Sequence, residues 1–263
     1  MKKNKKSKLG LQGNAAPVTA RTIIGSNTDF SVVEGYKAAR TNIMFTCGQE
    51  TCPVILFTSA FMGEGKTISC VNMAVTFAQA GFRTLIIDAD MRKPQMYRLF
   101  GLDLAPGLSD ILAGFSGKGS IHSTSYENLS VLTSGTVLPN PAELMTSKTM
   151  DQLLTTLRSQ YDYIFIDSPP VLLVTDAAAL ANRVTGTILI VRQMYSRTND
   201  LTECVLSLQM VGANIIGIIL NDFNTNERTY YKHGYKRGYA YSHYSYGRYG
   251  GYEHKAEETP VER

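Results

Sequence analysis

Val54-Ile-Leu-Phe57-Thr-Ser59-Ala60-Phe61-Met62-Gly63-Glu64-Gly65-Lys66-Thr67 decides the reading of this chain. A short apolar run leads into a glycine loop that closes on Lys-Thr. Glycines let successive backbone N–H groups converge on phosphate oxygens. In such a loop Lys66 reaches the β- and γ-phosphates, and the Thr67 hydroxyl binds Mg²⁺. Ala60 stands where the strict pattern has its first glycine. The remaining positions sit between an expected strand and an expected helix, as a nucleotide loop requires. Gly63, Glu64, Gly65, Lys66, Thr67 and Ile68 are therefore the candidate nucleotide-binding residues. The bland reading is a glycine-rich connector with a chance Gly-Lys-Thr.

Outward from the loop, strands and helices alternate. Thr67 to Ala80 reads as a helix stopped by Gly81. Further apolar runs occupy Thr84–Asp88, Tyr163–Asp167, Thr187–Val191 and Ile215–Leu220. Helical patterns lie near Lys148–Ser159, Ala177–Ala181 and Leu201–Val211. Short, continuous apolar strands separated by helices indicate an α/β fold: a P-loop NTPase-like parallel sheet with helices on both faces. Ligands of such sheets bind at the carboxyl ends of the strands. Two of the runs end there in acid. Asp88 and Asp90 lie in Ile87-Asp88-Ala-Asp90-Met-Arg92-Lys93-Pro94, and Asp167 precedes Ser168-Pro169-Pro170. A lone Asp at a strand end is commonly a turn or cap residue. Three converging on a phosphate loop fit acids that orient Mg²⁺ and accept a proton.

The chain has 263 residues, enough for one substantial core, with 44% hydrophobic and 18% charged residues. Much of its net charge of +4 sits in Lys2, Lys3, Lys5, Lys6 and Lys8. Such a run docks on an acidic membrane surface or nucleic acid, or is simply a solvated start. No stretch is apolar and long enough to span a bilayer, and no secretory signal core follows the lysines. Cys47, Cys52, Cys70 and Cys204 form no Cys-x-x-Cys pair and read as reduced, mostly buried thiols.

Three regions follow: a basic and polar arm over 1–30, a nucleotide-binding domain over 31–225, and a tail over 226–263. Within the domain, 31–45 reads as a helix with Ser31 as cap and Glu34 three residues on. The tail holds Tyr230, Tyr231, Tyr235, Tyr239, Tyr241, Tyr244, Tyr246, Tyr249 and Tyr252, nine of the chain's 15 tyrosines. With almost no aliphatic residues it is expected to be disordered. Tyrosine-glycine segments also stack on nucleic acid. Here phenols beside a phosphate loop suggest phosphate acceptors instead, and no nucleic-acid partner is expected. Each phosphotyrosine carries about −1.5 to −2 charges, so a few would reverse the basic tail.

The order Gly-Glu-Gly-Lys-Thr, Ile-Asp88-x-Asp90-x-Arg-x-Pro, Asn140-Pro141-x-Glu143-Leu144, Ile-Asp167-x-Pro-Pro and a closing tyrosine cluster resembles the bacterial tyrosine kinases of capsule and exopolysaccharide biosynthesis, in their Gram-positive form. The resemblance covers roughly residues 31–252. It implies an ATP- and Mg²⁺-dependent protein-tyrosine autokinase with Lys66, Asp88, Asp90 and Asp167 as catalytic residues. Thr67, Asp88 and Asp167 would hold the metal. It also implies oligomerisation, in a ring, through Glu34, Lys37 and Arg40, so that one subunit's tail enters its neighbour's site. Lys37 stands where that family has arginine, keeping the charge without the bidentate fork. A self-contained i,i+3 ion pair is the plain alternative.

The resemblance further implies a separate membrane activator with a cytoplasmic tail, a cognate tyrosine phosphatase, and a cytoplasmic protein recruited to the inner face of the membrane. Asn221, after the last strand, falls near the adenine by fold position. Two other readings remain. A partitioning or positioning ATPase switch carries a signature lysine early in its loop, where this chain has Phe61. A non-catalytic adaptor would bind ATP and offer tyrosines to another kinase.

Overall fold

The computed structural model describes residues 23–223 except positions 116 and 118. The basic start of the arm and all nine tail tyrosines lie outside the described residues. The elements in chain order are α1 (Phe30–Thr46), β1 (Val54–Ser59), α2 (Lys66–Gln79), β2 (Thr84–Asp88), α3 (Met96–Phe100), α4 (Leu108–Leu112), β3 (Ile121–Ser123), β4 (Leu129–Leu132), α5 (Pro141–Met145), α6 (Lys148–Arg158), β5 (Tyr163–Asp167), α7 (Asp176–Ala181), β6 (Gly186–Arg192), α8 (Thr198–Met210) and β7 (Ile215–Asn221).

The strands form one seven-stranded sheet in the order β3-β4-β2-β5-β1-β6-β7. Every neighbouring pair is parallel except β3–β4. The side chains of the central strands alternate between two cores, as a period of two requires. Leu56, Leu85, Ile87, Ile164, Ile166 and Leu189 face α4 to α8. Ile55, Phe57, Ile86, Phe165, Ile188 and Ile190 face α1, α2 and α3. Burial on both faces explains the unbroken apolar runs. In the second core, Phe77 of α2 sits against Tyr163 and Phe165, with ring centroids 4.3 and 5.1 Å away.

Three features depart from the sequence expectations. The sheet is not wholly parallel, because Ile121–Ser123 returns antiparallel beside β4 as an edge strand. The end of the arm is docked: Ile23 and Ile24 are buried in the second core. The Ile24 N–H donates to Asn72 Oδ1 (2.9 Å), and the Tyr126 hydroxyl donates to the Ile24 carbonyl (3.4 Å). Burial of two adjacent isoleucines supplies the apolar gain that holds this segment on the core. Helix α1 starts at Phe30 with Asp29 as N-cap and no side-chain cap bond, so Ser31 lies inside the first turn.

No helix among the described residues is long and apolar enough to cross a membrane. All four cysteines are free and buried.

Removing the Ile24 side chain tests the docked segment. Ile24→Ala is expected to destabilise the protein by about 2–4 kcal/mol, the usual range for a buried Ile truncated to Ala. Urea unfolding would measure it; a loss below about 0.5 kcal/mol is what an exposed side chain would give.

Candidate active site

The pairing β2–β5–β1 builds the site. Asp88 and Asp167 are register partners at the carboxyl ends of adjacent parallel strands, and Asp167 also pairs with Phe57 of β1. The chain leaving β1 then turns through the glycine loop into α2. Gly63 and Gly65 hold φ of +85° and +88°, a left-handed conformation that favours glycine. A Cβ on Gly65 would collide with the Asn221 amide. The first N–H groups of α2 have no intrahelical acceptor and open onto the loop.

Lys66 Nζ lies 3.2 Å from Asp90 Oδ2 and 3.4 Å from Asp167 Oδ1. The Thr67 hydroxyl donates to Asp167 Oδ2 (2.7 Å). Burial works to lower the Lys66 pKa, but the charges of Asp167 and Asp90 outweigh it and hold the ammonium above its ordinary value. Burial raises the Asp167 carboxyl, against the opposing pull of Lys66 and Thr67.

Asp88 does something different. Its Oδ1 accepts from the Asp90 N–H (3.2 Å), and its Oδ2 from the N–H groups of Gln95 (3.3 Å) and Met96 (3.2 Å). The carboxyl therefore fixes the 88–96 turn and the start of α3. Burial first, then the neighbouring Asp167, push its pKa up to about 7. Asp90 accepts the Lys93 N–H on Oδ1 (3.0 Å) and reaches Lys66 with Oδ2. Arg92, two residues on, makes a bidentate pair with buried Asp176 of α7 (2.9 and 3.1 Å), locking the turn onto the opposite wall.

A cavity of about 450 Å³ opens over these groups. It is lined by Gly63, Gly65, Lys66, Thr67 and Ile68 of the loop and α2 and by Asp90, Arg92 and Pro169 from the ends of β2 and β5. Glu64, Asp88 and Asp167 do not line it. The Glu64 side chain is buried and braces the loop, accepting from the Phe61 N–H (2.9 Å) and the Ser196 hydroxyl. Asn221 lines a second, more open pocket that it shares with Gly63, Gly65 and Ile68. Its amide donates to the Glu64 carbonyl (3.0 Å).

Lys66, Thr67, Asp90 and Asp167 are thus brought together. Glu34, Lys37 and Arg40 of α1 lie outside this cluster, and each has a partner within the chain. Lys37 pairs with Glu34 at 2.8 Å, while Arg40 donates to the Thr76 carbonyl in the last turn of α2 (2.6 Å). Sequence reading missed Arg192, Tyr195 and Ser196, which reach the loop from more than 120 residues away. No local signal marks them.

The comparisons with known proteins agree with this geometry. Residues 53–214 match the AAA domain family. Tyrosine-protein kinase YwqD of Bacillus subtilis (strain 168) is 33% identical over 225 residues, covering 85% of this chain and 95% of YwqD. The kinase domain of the Escherichia coli tyrosine kinase ETK superposes with a TM-score of 0.70 at 30% identity, over 80% of this chain and 81% of that one. The chain belongs to the bacterial tyrosine kinases of capsule and exopolysaccharide biosynthesis. It is a nucleotide-binding protein-tyrosine kinase. The septum site-determining protein MinD of Pyrococcus horikoshii OT3, solved with Mg-ADP, is a more distant fold neighbour. Its TM-score is 0.55 at 26% identity, over 64% of this chain and 70% of that one.

The raised Asp88 pKa gives a pH prediction. In the folded protein this carboxyl keeps its proton up to about pH 7, whereas the ordinary value is 3.8. Between those limits the folded state binds more protons than the unfolded chain, so stability falls as pH rises, by about 1.4 kcal/mol per unit at most. The contribution is fully present below pH ~4 and lost above pH ~7. Asp88→Asn retains an acceptor oxygen without titrating. Its unfolding free energy in urea, without nucleotide, should decline less between pH 5 and 8 than that of the wild type. Equal slopes would place the Asp88 pKa near its ordinary value.

Proposed function

We propose that this kinase uses ATP and Mg²⁺ to phosphorylate tyrosines of its own tail, Tyr230 to Tyr252, with one subunit's tail entering its neighbour's site. The observation that carries the reading is the convergence of Lys66, Thr67, Asp90 and Asp167 on the glycine loop, under a cavity open to an incoming side chain. The Thr67 hydroxyl and the Asp167 carboxylate are hard oxygen donors, the kind that suits Mg²⁺. These residues would hold the ion, whose chemistry is to neutralise charge on the phosphates.

In the transfer, the acceptor phenol loses its proton to a carboxylate as its oxygen bonds to the γ-phosphorus. The bond to the β-phosphate oxygen breaks and ADP leaves. Lys66 neutralises the charge that develops, while the loop amides hold the phosphates throughout. Asp90 is better placed than Asp88 to meet the phenol. Asp90 lines the cavity, while Asp88 does not line it and is held by three backbone N–H groups of the 88–96 turn. Asp88 then fixes the turn that carries Asp90, and its catalytic role is indirect.

A separate membrane activator and a cognate phosphatase complete the reading, with the kinase recruited to the membrane by its activator to regulate polymer synthesis and export. The positioning-ATPase reading is weaker: MinD is the more distant neighbour, and Phe61 stands at the place of that group's signature lysine.

Phosphotyrosine mass spectrometry on purified protein incubated with Mg-ATP tests the proposal. Phosphate on Tyr230 to Tyr252 is expected in the wild type. Lys66→Met should lower the rate at least about 10²–10³-fold, the cost of deleting one preorganised charge partner, while remaining folded. Retained phosphorylation in that variant would sink the catalytic assignment. A wild type that binds ATP but stays unmodified, alone and with the activator's cytoplasmic peptide, would favour the adaptor.

A further inference from the structure

We infer that the turn after β6, residues 192–196, is a clamp that positions the nucleotide loop, with Tyr195 and Arg192 as its positioning residues. Four successive loop carbonyls are each held by a side-chain donor. The Ser59 hydroxyl donates to the Phe61 carbonyl (2.8 Å) and the Tyr195 hydroxyl to that of Met62 (3.0 Å). Arg192 Nη1 donates to that of Gly63 (3.2 Å), and the Asn221 amide to that of Glu64 (3.0 Å).

The peptide unit is planar and trans, so fixing one carbonyl fixes the next residue's N–H in the opposite direction. Anchoring the carbonyls of Met62, Gly63 and Glu64 outward therefore turns the N–H groups of Gly63, Glu64 and Gly65 the other way, toward the phosphate seat. Those are the donors on which a glycine loop depends.

The clamp is itself braced. Arg192 pairs with Asp222 (3.0 Å), and its guanidinium lies over the Tyr195 ring, 5.4 Å from the centroid. The Ser196 hydroxyl bonds Glu64 and also accepts the Arg192 N–H (2.9 Å). Gly63 leaves room for this arrangement, since a Cβ there would stand 3.2 Å from the Tyr195 hydroxyl. The turn adopts the left-handed conformation at Met194 (φ 57°), and Asp222 does likewise (φ 57°). Both non-glycine positions are uncommon in that region, which marks a backbone held by its surroundings. Tyr195 is about half exposed, so a core-packing role does not account for it.

The inference rests on the nucleotide-binding reading of the loop, and its test separates the two. Tyr195→Phe removes one hydroxyl and leaves the ring. Arg192→Lys keeps the charge, and Arg192→Gln removes it. ADP and adenosine affinities are measured by competition against a fluorescent ADP analogue with Mg²⁺ present, beside ATP kinetics and thermal unfolding without nucleotide. Tyr195→Phe should weaken ADP binding about three- to tenfold, the factor typical of one hydrogen bond. Adenosine affinity should stay unchanged.

The KM for ATP should rise by the same factor with kcat nearly constant, because the loop amides hold the phosphates in ground and transition states alike. Arg192→Gln should lose more than Arg192→Lys, which partly rescues. Unchanged ADP affinity in both Tyr195→Phe and Arg192→Gln would overturn the clamp. So would a loss shared equally by adenosine, or a change seen only in the unfolding temperature. A wild type that binds no ADP would overturn the nucleotide reading and the clamp together.

Discussion

Two carboxylates face each other across a parallel strand pair, Asp88 on β2 and Asp167 on β5, both almost wholly out of water. Two unpaired buried charges at that separation are not tolerated. The structure resolves the conflict differently on each side. Asp167 takes the Lys66 ammonium and the Thr67 hydroxyl, while Asp88 takes three backbone N–H groups and a raised pKa. The loop, the start of α2 and the 88–96 turn are all placed by this division. Lys66 is consequently poised between acids on one side and the phosphate seat on the other. Nucleotide phosphates would compete for the same ammonium, so binding and rearrangement of the acid cluster are linked.

The central half of the fold was legible in the sequence because it obeys local rules. Five apolar runs bounded by polar or turn residues became β1, β2, β5, β6 and β7, each within two residues of its expected ends. Lys148–Ser159 was legible for a similar reason: Ser147 caps α6 by accepting the Met150 N–H. The stretch from residue 96 to 145 was not. Its helices α3, α4 and α5 are five residues each, too short to show a 3.6-residue period. Strand β3 has three residues, and its antiparallel course depends on pairing with β4 rather than on anything in Ile121-His-Ser.

The same distinction divides the site. The residues of the glycine loop and the strand-end acids are encoded in contiguous motifs. What holds those motifs in shape is not: Arg192, Tyr195 and Ser196 sit in no recognisable pattern, and only the course of β6 brings them to the loop. Glu64 shows the same limit from the other side. It belongs to the motif, yet its side chain turns away from the cavity to brace the loop. Asn221, singled out by its place after the last strand, donates its amide to a loop carbonyl.

Helix α1 bears on how far a motif carries. Arg40 contacts the Thr76 carbonyl, one of the last-turn groups of α2 that lack an intrahelical donor, where a cation also complements the helix dipole. It therefore has a task within the chain whatever it does between chains. Glu34 and Lys37 keep nearly half of their side-chain surface in water and, among the described residues, pair with each other, an interaction of little stabilising value at a surface. Those two are free to exchange partners at small cost, whereas recruiting Arg40 to a neighbour would expose an unsatisfied carbonyl at the end of the helix that carries Lys66. In the proposed assembly, a subunit contact that recruited Arg40 would therefore reach the nucleotide loop through α2.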